Sequence, residues 1–180
     1  MNRIYKVFVL IAGMSFLGYV PSQAMAQTAS DFLKSLEGDF AGRGNAIVVG
    51  DKSQRIACKI SSVFDIEAGA LNVTGECAGT KGKSKINGGV TAVDDQVKGS
   101  FLSPRKGMTV TQSYGAYEGD RMQLLTSMVD ENAGRLVKIK QVISKTEEGI
   151  NAQFFTFSNA SNAYEPTGEI ILKASVKTDE

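Results

Sequence analysis

From residue 39 onward, apolar side chains recur at every second position, and a group of turn-forming residues interrupts the alternation every 8–15 residues. A repeat of two sends successive side chains to opposite faces of an extended chain, so each segment reads as a strand with one buried face. That pattern leaves no room for a helical bundle or for alternating strand and helix layers. The expected strands are 40–49, 54–64, 70–79, 85–93, 97–102, 108–117, 121–129, 135–144, 151–158 and 169–177. Short connections favour antiparallel neighbours, and closure removes exposed edges, so the expected fold is all-β: an up-and-down antiparallel meander barrel of about ten strands. A two-sheet sandwich needs long crossing connections, and only 159–168 is long enough to supply one. One segment departs from the repeat of two. In 28–36, Ala29, Phe32, Leu33 and Leu36 recur at helical spacing, with Thr28 or Ser30 as a cap and Gly38 as a stop. A helix this short is marginal alone, so its stripe is expected to plug one end of the sheet structure.

Cys58 and Cys77 are the only cysteines. If 54–64 and 70–79 form a hairpin through Ile66, Glu67, Ala68 and Gly69, equal counting from the turn sets 64 against 71, 60 against 75 and 58 against 77. The two sulfurs then face each other, and a disulfide is expected. A redox pair is usually spaced more closely, and a metal site needs more than two thiols.

The first residues point to an exported chain, where such a bridge persists. Arg3 and Lys6 are followed by an apolar run over 7–20 and by Ala24, Met25 and Ala26, the small-x-small pattern of a signal-peptidase site. The run is shorter than the roughly 20 residues that span a bilayer. The expectation is a signal peptide at 1–26, cleavage before Gln27, a single domain over 27–180 without a membrane span, and a periplasmic or secreted location. Twenty Lys and Arg against 19 Asp and Glu, spread along the chain, give no basic stripe of the kind a nucleic-acid partner calls for. The densest basic spots, 81–85 and 105–106, fall in turns.

Histidine is absent. Serine–histidine and cysteine–histidine nucleophilic systems, and histidine-ligated zinc, iron or haem, are thereby excluded. The adjacent acids at 94–95, 130–131 and 147–148 all lie in expected turns, where solvent keeps both members ionised. The glycine-rich stretch 38–44 runs from helix to strand, the reverse of a phosphate loop. No catalytic set, metal or cofactor is expected, and the chain reads as a non-enzyme.

A barrel interior can be a packed core or can hold one small ligand. One choice of faces sends Ile60, Phe64, Met122, Leu124 and Met128 inward together with Val137, Ile139 and Phe154, and adds Gln112, Gln141 and Thr126 as polar points. Methionine and phenylalanine around a few amides suit a lipid or another apolar small molecule.

The stretch Phe32-Leu-Lys-Ser-Leu-Glu-Gly-Asp-Phe-Ala-Gly-Arg-Gly44 resembles small exported α-proteobacterial proteins of unknown function and, more distantly, calycin-type barrels, in which a short helix enters the first strand through a glycine-containing motif. The tryptophan that lipocalins place there is absent, as is the histidine through which nitrobindin-like barrels bind haem. The resemblance implies a barrel and a bacterial envelope location. Together these readings give the expected function, a calycin-like binding protein for an apolar small molecule or lipid. The alternative is an interaction module, such as an inhibitor of an envelope hydrolase, acting on an envelope protein through loops at 103–107 and 159–168.

Overall fold

The computed structural model describes residues 28–47, 53–80, 82–94, 96–101 and 107–175. The leader read at 1–26 lies outside them. Helix α1 (Ala29–Ser35) begins at Thr28, whose hydroxyl accepts from the Asp31 amide while the Asp31 carboxylate accepts from the Thr28 amide. This reciprocal cap satisfies two amide donors that a helix start otherwise leaves free. The helix turns its apolar stripe inward, and Ala29, Phe32, Leu33 and Leu36 are buried. Phe32 packs against Tyr117 with ring centroids 5.0 Å apart, and the Ser62 hydroxyl donates to the Leu36 carbonyl at 2.6 Å. The stripe closes one end of a barrel, as its spacing predicts.

Ten strands follow: β1 (Gly38–Ile47), β2 (Ser53–Asp65), β3 (Ala70–Gly79), β4 (Gly82–Val93), β5 (Gln96–Ser100), β6 (Met108–Tyr117), β7 (Arg121–Asp130), β8 (Arg135–Thr146), β9 (Gly149–Ser158) and β10 (Ala163–Ala174). Each pairs antiparallel with its neighbours in sequence, and β10 returns to pair with β1, so the sheet is a closed up-and-down barrel. Its inner face is the apolar half of the alternation. Leu71, Val73, Val90, Val97, Phe101, Met122, Leu124, Ile143 and Ile150 are fully buried in one continuous core beneath α1.

The β2–β3 hairpin has the register that equal counting predicts, with Phe64 opposite Leu71, Ile60 opposite Gly75 and Cys58 opposite Cys77. Cys58 and Cys77 form a disulfide, their Cα atoms 4.0 Å apart. Gly42 and Gly44 sit where β1 meets β10. A Cβ at either would lie 1.9 Å from a carbonyl oxygen of β10, that of Ile171 or of Glu169, so the closing pair approaches too tightly for any side chain.

The structure differs from the sequence reading at 159–168. That segment is not a long connection. A turn over 159–162 leads straight into β10, which carries a register shift between Pro166 and Gly168. A proline without an amide donor and a glycine interrupt the alternation there, which is why the first half of the strand is masked in the sequence. Among the described residues, no helix is long and apolar enough to cross a membrane.

Candidate ligand site in the barrel interior

Register places the expected lining residues. Leu124, Gln141 and Phe154 lie side by side across β7, β8 and β9; Thr126 faces Ile139, and Met128 faces Val137. The barrel then divides this set. Ile60, Met122 and Leu124 belong to the core beneath α1, where Met122 and Leu124 are wholly buried, and Phe64 and Phe154 pack against that core. Met128, Val137, Ile139, Gln141 and Phe154 lie further from the helix. Ile139 and Phe154 are only half-buried there.

Gln112 requires a correction. It pairs with Ser127, which alternates with the buried Thr126 and Met128, so Gln112 projects from the outer face and is exposed. The cause is a register shift between Val110 and Gln112, where one extra residue in β6 reverses the faces. The inward position belongs to Ser113, one residue on. A reading of β6 that began from Tyr117 and Gly115 would have reached it.

Ser113 is part of a polar cluster missed in the sequence. Its hydroxyl donates to the Gly99 carbonyl and lies 3.0 Å from the Thr126 hydroxyl. Gln141 donates from Nε2 to the Ser100 hydroxyl at 3.2 Å. Gln141 is 3% exposed, and its Oε1 has no hydrogen-bond partner among the described residues. A buried acceptor left unpaired costs about 1–3 kcal/mol; Asn151 Oδ1, at a position of β9 that alternates with the buried Ile150 and Ala152, is a second such atom.

The cluster sits at the weakest seam of the wall. Among the described residues, β5 and β6 share two register pairs, Gln96 with Ala116 and Val97 with Gly115, whereas every other neighbouring pair shares at least five. Beyond Val97, among the described residues, the Ser113 side chain supplies a link across the seam. The Ser113 hydroxyl thus ties β6 to β5 at this point, while its contact with Thr126 lies within the β6–β7 ladder.

The buried polar side chains are Ser62, Thr126 and Gln141, all neutral. The titration shifts belong to groups at the surface or the barrel rim. The Thr28 hydroxyl and amide hold the Asp31 carboxyl below the usual aspartate range, and Lys173 does the same for Glu148. Burial raises Tyr117 and Tyr164. The inward polar groups among the described residues are uncharged and lie among apolar side chains. No protein-family model matches the chain, and no curated protein matches it.

Proposed function

We propose that the chain is an exported, calycin-like binding protein whose barrel takes an apolar small molecule or lipid between β6 and β9, on the side away from α1. The unpaired Gln141 Oε1 carries this reading. A ligand donor, such as a hydroxyl or amide N–H, would satisfy it, while Met128, Val137, Ile139 and Phe154 would surround the apolar body. Entry would use the β5–β6 seam, since parting it breaks two rungs and leaves the remaining ladders intact. The disulfide is compatible with an oxidising compartment.

The test is binding of a long-chain fluorescent alcohol to the purified protein, with native mass spectrometry for co-purified lipid. The oxygen should contribute about one buried hydrogen bond, so Gln141→Leu should weaken binding by roughly tenfold. The same substitution should leave the fold equally or more stable, because it removes the unpaired acceptor. Absence of binding by the wild type, or equal binding by wild type and variant, would refute the reading.

For the interaction-module alternative, 159–162 forms a turn and 163–168 begins β10, while 103–106 lie outside the described residues.

A further inference from the structure

The outer face of β1, β2 and β3 carries a groove that no run of charge in the sequence announces. Register places Ala57 at its centre, with Arg43 directly across on β1 and Ala78 directly across on β3. Arg55 and Lys59 stand two residues to either side of Ala57 along β2, on the same outer face. Strands lie about 4.8 Å apart, and alternate residues about 6.7 Å apart, so three cations ring one alanine at side-chain reach. All three are exposed, and none makes an ion pair with a described residue. Glu76 stands directly across from Lys59 and borders the smaller groove, and its carboxylate is paired with Lys83, across Ala78, at 3.0 Å.

The floor is as informative as the charges. Outer strand positions usually carry large or branched side chains, yet Ala41, Ala57 and Ala78 occupy three of them here. The long Arg and Lys side chains therefore rise around a depression. Two overlapping grooves of about 540 and 750 Å³ open there, both lined by Arg43, Ala57 and Ala78; Arg55 lines the larger, Lys59 the smaller. Like charges brought this close repel one another, and an anion between them removes that repulsion. Guanidinium groups present paired donors that match phosphate oxygens, and an ammonium adds a mobile third donor.

We propose that this groove binds the phosphate of a soluble organic phosphomonoester, seated over Ala57 between Arg43, Arg55 and Lys59. The organic part of the ligand lies along the alanine floor toward Ala78. This site is separate from the barrel interior and independent of what that interior holds.

The experiment is an amide-detected NMR titration of the full protein with inorganic phosphate and with glycerol 3-phosphate. Saturable shifts should concentrate at Arg43, Ala57, Lys59 and Ala78, with glycerol 3-phosphate the tighter ligand. The Arg55→Gln, Lys59→Gln double variant should bind at least about tenfold more weakly. A Lys138→Gln, Lys140→Gln variant, changed on β8 across the barrel, should bind like wild type. Circular dichroism melts of both variants separate lost binding from lost folding. Shifts that do not saturate, or that persist unchanged in the Arg55, Lys59 variant, would overturn the proposal. So would binding to phosphatidic acid vesicles with no response to glycerol 3-phosphate.

Discussion

Reducing the Cys58–Cys77 bond isolates one contribution to stability, because both sulfur atoms stay in place. The cysteines are 19 residues apart in sequence, and closing a loop of that length removes denatured-chain entropy worth about 3 kcal/mol at 25 °C. The native hairpin does not need the bond for its geometry. Its ladder runs from Ile56 opposite Gly79 to Asp65 opposite Ala70 on both sides of the cysteines. The stabilisation should therefore come almost wholly from the unfolded state. Urea unfolding of oxidised and phosphine-reduced protein should show a loss of about 3 kcal/mol and, for a domain of this size, a fall in Tm of roughly 6–12 °C. The m-value should rise on reduction, since the freed denatured chain exposes more surface. A Cys58→Ala, Cys77→Ala variant should lose more than the reduced protein does, because Cys58 is 3% exposed and its sulfur fills core volume. A loss below about 1 kcal/mol with no change in m would refute the reasoning. It would mean that the β2–β3 segment stays collapsed in the denatured chain, where a cross-link has little entropy left to remove.

Two further outcomes follow from single side chains. Gly115→Ala should lower the urea midpoint by an amount equivalent to about 2–3 kcal/mol, because its Cβ would lie 1.8 Å from the Gln123 carbonyl oxygen of the neighbouring β7. Gly89→Ala, whose new methyl meets nothing nearer than 3.8 Å, should change the midpoint by less than about 0.5 kcal/mol, and equal effects at the two sites would count against the close-approach argument. The Asp31 carboxyl titrates below its ordinary value in the folded chain, so its capping contribution is complete above about pH 4 and is lost as pH falls through the folded value. The Thr28 amide resonance should move across that acid range in wild type and stay flat in Asp31→Asn.

The strand count, the helix and the disulfide register were legible because each rests on local rules. Ile170 and Leu172 alternate on β10, Phe32 and Leu36 share a helical face, and a four-residue turn fixes which residues of a hairpin meet. Legibility failed where one residue breaks the count. The shift at Gln112 reverses the faces of β6, and the shift between Pro166 and Gly168 hides the first half of β10. The Gln141 side chain was read as inward, and it is buried, but the bond its Nε2 donates goes to Ser100, 41 residues earlier in the chain. The cations around Ala57 were invisible for a similar reason. Arg43 is brought to β2 by pairing between strands, and no linear reading of charge registers that.

The union of β1 with β10 has a consequence for how the chain is made. The two partners are the first and last strands of the barrel to leave the ribosome, so the ring stays unfinished until β10 has been made. Before then β1 and the newest strand each present a bare row of amides and carbonyls, open to pairing with another molecule. A product cut short anywhere before residue 163 keeps both rows for good, and it should be found in aggregates or in the gut of a protease.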